Sequence, residues 1–293
     1  MKRQTALAAA IGVVGLMLAF AAPAFFSSEN LNDVALANLP VLIVAIGMTM
    51  VILAGEIDVS VGSLFAVCSV TAGVAAKLGL PIALVIVTAC VAGAAIGALN
   101  GALIAFVRIP SIVMTLAMMV ALRDGLRWIT QGAWVQDLPR TFQWFGLSQL
   151  AYPWLAGGVA AALFAGVAWS LRHLGAGRAV YATGSNAEAA RVAGINTGRV
   201  KLAVFALSGA LTGVAAIVNG VRFNQIPSNS GLGLELKVIA AVVVGGAAIR
   251  GGSGTFGGTL LGVVLLGAVG PALTFLGVTA YWERALQGAI ILI

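Results

Sequence analysis

Charge is what this sequence has least of. Asp, Glu, Lys and Arg make up 9% of its 293 residues, whereas 61% are hydrophobic and mean hydropathy is +1.07. A water-soluble fold of this size needs a charged shell, and this chain cannot supply one. Histidine is nearly missing as well: His173 stands alone, beside Arg172 at the end of an apolar run, and reads as an interfacial residue rather than a ligand or base. The two cysteines, Cys68 and Cys90, lie inside apolar runs. That placement gives neither a disulfide framework nor metal-ligand spacing, so both read as packing residues and no metal is expected. There is no Ser-His-Asp set, no HExxH and no CxxC. The phosphate-cradling GxxxxGK(S/T) motif is missing too, so the chain cannot bind and hydrolyse ATP by itself. Gly252-Ser253-Gly254-Thr255-Phe256-Gly257 has the letters of GxGxxG, but it joins two apolar runs with no βαβ unit before it. A tight turn is the better account. No basic stripe with interleaved aromatics occurs, which excludes nucleic acid as a partner, and no cofactor is implied.

What the chain has is apolar length. An α-helix needs about 20 apolar residues to cross about 30 Å of hydrocarbon. Such runs read at 5–26, 34–54, 60–76, 81–106, 111–129, 152–171, 203–222, 236–250, 255–275 and from 281 to the end, about ten in all. In lipid the backbone must satisfy its own hydrogen bonds, which leaves a helix bundle or a closed barrel. Runs this long without strict alternation exclude the barrel. The fold class is all-α, a polytopic membrane protein.

Lys2 and Arg3 precede the first run and point to a cytoplasmic N-terminus. Alternation then puts Lys2, Arg3, Arg108, Arg172, Arg178, Arg191, Arg199, Lys201 and Arg250 inside. Lys77, Arg123, Arg127, Arg140, Arg222, Lys237 and Arg284 fall outside or at the outer interface. Glu56, Asp58 and Glu188 are the inside acids; Glu29, Asp33, Asp124, Asp137, Glu235 and Glu283 lie outside. The net charge of +7 therefore reflects orientation in a membrane. Residues 1–24 also have the order of a cleaved signal peptide, with Ala22-Pro23-Ala24 after the run. Because the run continues through Phe25-Phe26, a first transmembrane helix is the reading preferred. Among 38 glycines, Gly93/Gly97/Gly101 and Gly258/Gly262 have the small-xxx-small spacing that brings helix backbones together.

Polar residues gather in a few places. On the inside, Ser185-Asn186-Ala187-Glu188 fits a capping box, followed by a short helix to Ala193 and a left-handed stop at Gly194. This helix either lies on the inner leaflet or docks a cytoplasmic partner; its small apolar bulk favours docking. A second cluster, Gly55-Glu56-Ile57-Asp58-Val59-Ser60-Val61-Gly62-Ser63, lies between two apolar runs. Asp58 and Ser60 both suit a helix N-cap. The segment is either a broken helix lining a substrate path or a short turn at the cytoplasmic face. Within spans, Asn38, Asn100 and Asn219 either hydrogen-bond between helices or line a pathway. Arg123-Asp124 and Arg127 form a local ion pair or meet an external partner. The stretch Gln131–Gln149, with Trp134 and Trp144, reads as periplasmic.

Four stretches, GEIDVSVGS (55–63), LNGALIAFVRIPSIVMTLA (99–117), YATGSNAEAARVAGIN (181–196) and GLELKVIAAVVVGGAAIRGGSGTFGGTLLG (233–262), resemble the permease subunits of bacterial ABC importers of the ribose/autoinducer-2 sugar-uptake family. GAWVQDLP (132–139) and 233–241 are most similar to its autoinducer-2 and rhamnose-like branches. The resemblance implies a cobalamin-importer-like (type II) fold of about ten helices. It also implies a single permease domain over 1–293, with a cytoplasmic loop 172–202 and a periplasmic loop 131–150. It implies a coupling helix at about 186–194 that sits on the ATPase, the role falling on Glu188, Ala189, Ala190, Arg191 and Gly194. Partners follow: a cytoplasmic ATP-binding subunit, a second permease copy or homologue, a periplasmic sugar-binding protein and membrane lipid. The binding protein is expected to meet Lys77, Asp137, Arg140, Arg222 and Arg284 on the outer face. Neutral polar residues such as Asn38, Asn100 and Asn219 are expected along the pathway, with Glu56, Asp58 and Ser60 in a pathway or structural motif. Location in the bacterial inner membrane follows. An ion-coupled secondary transporter is the competing reading; it calls for a titratable group in mid-span, which the runs do not show. A membrane-embedded enzyme ranks third for want of a catalytic constellation.

Overall fold

Long apolar runs fold as helices because only a helix closes its own backbone hydrogen bonds in lipid. The computed structural model describes residues 2–279 together with 282, 283, 285, 288 and 289. Its helices are α1 (Lys2–Ala21), α2 (Ser28–Leu53), α3 (Val61–Lys77), α4 (Ile82–Ala102), α5 (Ser111–Thr130), α6 (Tyr152–His173), α7 (Gly175–Ser185), α8 (Ala187–Val192), α9 (Thr197–Gly220), α10 (Leu234–Val244) and α11 (Phe256–Phe275). Nine of them, all but α7 and α8, fall on nine of the ten apolar runs. The tenth run, from 281, lies mostly outside the described residues.

Among the described residues six helices are long and apolar enough to cross a membrane: α1, α2, α4 with its π-helical continuation to Val107, α6, α9 and α11. Two are shorter. α3 has 17 residues, and α10 has 11 where the apolar run 236–250 predicts a full span. Eleven residues rise about 16 Å, half the hydrocarbon thickness. The physical reason is Gly246, whose φ of +95° ends α10 while the sequence stays apolar through Ile249.

The interior is organised around α9, which packs against α2, α3 and α4. The α4–α9 seam is a backbone contact. A Cβ at Gly93 would lie 2.1 Å from the Gly209 carbonyl oxygen, and one at Gly97 would lie 2.3 Å from that of Phe205. Only glycine allows that approach. Gly258 and Gly262 do the same for α10 and α11, where a Cβ would lie 1.8 Å and 2.0 Å from the carbonyl oxygens of Gly245 and Ala241. The spacing read from sequence thus marks real seams. α1 packs at the periphery, with Leu18 against Phe25 and Ala272.

Candidate functional site

At the inner end, His173 closes α6, its Nδ1 3.0 Å from the Trp169 carbonyl oxygen and its ring stacked on Trp169. The chain then makes α7 and α8, the first of which the sequence did not announce. The N-cap of α8 is Asn186, not Ser185. Asn186 Oδ1 accepts from the amides of Glu188 at 3.0 Å and Ala189 at 2.9 Å, whereas Ser185 is spent as the last residue of α7. Asn186 is extended, with φ −158°, which is the geometry an N-cap requires. At the other end Ile195 N donates to Ala190 O and Gly194 N to Arg191 O, with Gly194 at φ +83°. This is a Schellman stop, as the glycine predicts. Ala190 is buried, Glu188 and Ala189 are exposed with Glu188 paired to Arg191, and Val192 is 85% exposed. The result is a short helix clamped at both ends that exposes an apolar tip, Val192, beside the Glu188–Arg191 pair.

The second site is the chain between α2 and α3. Gly55, at φ +82°, ends α2, and the chain then runs extended and buried to α3. The first two turns of α5 hold it: Ser111 Oγ accepts from Ile57 N at 3.3 Å, and Thr115 Oγ1 from Val59 N at 3.1 Å. Asp58 and Ser60 are both 0% exposed, so this is a broken helix and not a surface turn. Neither caps α3 as expected. Asp58 Oδ1 accepts from both Ser60 N at 2.9 Å and Ser60 Oγ at 2.6 Å, and the Asn100 amide donates to Ser60 Oγ at 3.0 Å. The carboxylate is thereby spent on Ser60 before it can reach the helix. Asp58 Oδ2, the Asn100 carbonyl oxygen and Ser63 Oγ are buried without a partner among the described residues.

A second break faces the first. After α9 the chain makes an antiparallel bridge between Ile226 and Val135, with N–H to O distances of 2.8 and 3.0 Å, and then descends along α3. Gly231 meets Gly62, and Glu235 opens α10 against the same turn. Charge sorting placed Arg123 and Glu235 on the outer side, with Arg123 next to Asp124. In the structure Glu235 is buried beside the first turn of α3, and Arg123 of α5 pairs with it at 3.6 Å.

The remaining candidates separate. Asn38 donates to Val34 O at 2.7 Å and Gly267 O at 3.3 Å, joining α2 to α11. Asn219 lines a cavity of about 250 Å³ with Phe223, Asn224, Gln225, Pro227, Ser230 and Gly231. Glu56 pairs with Lys201 of α9. Lys77 and Asp137 share a cleft of about 620 Å³ with Trp134, Gln136 and Gln225. Arg140 is exposed. Arg222 is half-buried 5.6 Å from the centre of the Phe223 ring, and burial lowers its pKa from the usual arginine value. Arg284 lies outside the described residues.

Residues 30–293 match the family described as branched-chain amino acid transport system / permease component. The chain belongs to this family. The ribose import permease protein of Escherichia coli K12 is 38% identical over 282 residues, 92% of this chain and 86% of that protein. The autoinducer 2 import system permease protein of Yersinia pseudotuberculosis is 35% identical over 273 residues, 92% of this chain and 76% of that protein. No solved structure matches. The chain is thus a multi-pass permease of an ABC importer in the bacterial inner membrane. As a permease it is not itself catalytic; a separate ATPase subunit and a binding protein complete such an importer.

The ion pairs Glu56–Lys201 and Arg123–Glu235 and the hydrogen bond from the buried Tyr152 hydroxyl to Val218 O were not found from sequence. Each joins residues far apart in the chain, and a charge beside an apolar run looks the same whether it is paired or at the interface.

Proposed function

We propose that the chain is the path by which a small, neutral, polyhydroxylated solute crosses the inner membrane: a pentose, a deoxyhexose or autoinducer 2. The observation that carries the solute class is the cavity beside Asn219. Its polar side chains are the amides of Asn219, Asn224 and Gln225 and the hydroxyl of Ser230, with no ionised group among them. Amides both donate and accept, as sugar hydroxyls do. A free amino acid would bring an ammonium and a carboxylate there with nothing to pair them. The relatives named for ribose and autoinducer 2 import fit this chemistry.

The whole chain, 1–293, works as one permease domain, with 172–202 inside and 131–150 outside. α8 meets the ATPase through Glu188, Ala189, Arg191 and the exposed Val192, while the buried Ala190 and the turn at the exposed Gly194 fix its attitude. The Lys77–Asp137 cleft and Arg140 meet the periplasmic binding protein, their charges setting the encounter rate. Asp124 and Arg127 are exposed on α5, where lipid would be costly, so that face turns to a second permease copy or homologue. Lipid covers the remaining apolar exterior.

The test is uptake into proteoliposomes carrying the permease, its ATPase and its binding protein. Labelled ribose or autoinducer 2 enters and labelled leucine does not; Asn219→Ala lowers uptake while the complex still assembles. Uptake of leucine with none of a sugar refutes the solute class.

A further inference from the structure

We infer that the Glu56–Lys201 ion pair is a positioning strut, carrying movement of α8 into the broken segment ahead of α3 and so fixing how much solute moves per ATP hydrolysed. This rests on the reading of α8 as the ATPase-docking helix.

Glu56 is tied at two points. Its amide donates to Val51 O at 3.1 Å, so its backbone closes the end of α2, and its carboxylate reaches Lys201. Both side chains are largely buried, 11% and 23% exposed, so the pair is screened by water far less than a surface bridge. Lys201 stands in the first turns of α9, and α9 follows α8 after the Gly194 stop and the Asn196 cap. Two residues beyond Glu56 stands Asp58, which holds Ser60 and through it Asn100. One continuous chain of contacts thus runs from the docking helix, through the start of α9, to the segment that positions α3.

The setting makes the pair a choice and not an accident of crowding. A cavity of about 320 Å³ separates α8 from the broken segment, lined by Ala187 and Arg191 on one side and by Glu56, Arg108 and Lys201 on the other. Glu56 is its one acid, against three cations. Among the described residues it is the one ion pair that joins the broken segment to α9. Losing Glu56 leaves cations facing cations, and the segment loses its hold on α9. ATP hydrolysis, driven by contacts on the outward face of α8, does not need that hold. Transport does.

The experiment uses the full complex in proteoliposomes and reads three quantities: ATPase co-purification, ATP hydrolysis, and solute taken up per ATP. Glu56→Lys and Lys201→Glu each keep the ATPase bound and hydrolysing but lower solute per ATP about tenfold, within the range of coupling between distant sites. The exchanged pair, Glu56→Lys with Lys201→Glu, recovers most of it. Glu56→Gln, which keeps the shape, tests the same point should a reversal fail to insert, and it lowers the ratio several-fold. An unchanged ratio in both Glu56→Gln and Lys201→Glu overturns the strut. So does loss in the exchanged pair equal to that in the single variants, since a mere packing role gives no charge rescue. Gly194→Val is run beside them to separate the two readings. If it leaves ATPase binding and coupling at wild-type levels, the docking role of α8 fails and the strut with it. If it abolishes coupling while the reversals do nothing, the strut alone fails.

Discussion

The α4–α9 seam and the paired breaks at the starts of α3 and α10 solve opposite problems with the same residue. In the seam, Gly93, Gly97 and Gly209 remove side chains so that two full-length helices touch backbone to backbone, with no charge between them. At the breaks, Gly62 and Gly231 remove side chains so that polar groups can enter: Glu235 lies over Gly62, and Asp58, Ser60 and Asn100 form a buried chain beside it. The seam leaves helix geometry intact and its packing is fixed by shape. The breaks give up helix length and leave orphan polar atoms, Asp58 Oδ2 and Glu235 Oε2 among them. Buried unpaired acceptors are costly, and a fold retains them where the structure must rearrange. The seam is thus closed by shape alone, whereas the breaks hold buried polar groups.

The largest effect is expected in the seam. Gly209→Val puts a branched side chain where a Cβ alone would lie 2.0 Å from the Gly93 carbonyl oxygen. Neither helix can yield without leaving its other neighbours, so the loss is about 3 kcal/mol or more. Monodisperse protein after detergent extraction should be nearly abolished; a variant that purifies and melts like wild type would break the comparison at its first term.

The breaks are expected to tolerate change if it is made in pairs. Glu235→Leu leaves the Arg123 guanidinium without its counter-charge, at a cost of about 1–2 kcal/mol, less than for a fully buried pair because Arg123 is 28% exposed. Arg123→Met with Glu235→Leu removes both charges and lies within about 1 kcal/mol of wild type. Thermal unfolding in detergent measures both. A double variant less stable than Glu235→Leu alone would erase the contrast with the seam.

What the sequence told of this arrangement follows the same division. The seam was legible, because spacing of small residues by four is a local signal that survives in one dimension. The full-length spans were legible by apolar length, and the stop at Gly194 by chemistry. The breaks were legible only in part. Asp58 and Ser60 stood out between two apolar runs, but a buried broken helix and a surface turn look alike in sequence. α10 was read too long because residues after Gly246 are apolar for burial and not for helix. The burial of Glu235 could not be read, because a charge at the start of an apolar run looks the same whether it is buried or at an interface. Its partner Arg123, like Lys201 for Glu56, comes from another helix, and only the packing brings them together.

The inner face extends the comparison to an element outside the membrane. Gly194→Val asks a β-branched residue to hold φ +83° in open space, so the strain is conformational and steric crowding plays no part. With Glu188→Arg, which reverses an exposed charge on α8, it should leave insertion and binding-protein docking unchanged while abolishing ATPase coupling. Transport at the wild-type rate in proteoliposomes would refute the coupling role of α8.

The smallest effect distinguishes the two serine- and asparagine-based caps. α8 has six residues, too few to persist by propensity alone, so its ends and the burial of Ala190 hold it. Asn186 Oδ1 takes up two amides at once, and alanine there leaves both to water. The cost is about 1 kcal/mol, roughly a fivefold shift in the local equilibrium toward an unformed helix, which a bundle of this size survives. Solute moved per ATP should fall several-fold and not vanish, and Asn186→Asp, an equally good cap, should restore most of it. Ser185→Ala should do nothing measurable, since Ser185 closes α7 and accepts no amide of α8. If the serine variant loses coupling and the asparagine variant does not, the capping box read from the letters Ser-x-x-Glu governs the helix after all, and α8 begins one residue earlier than its backbone indicates.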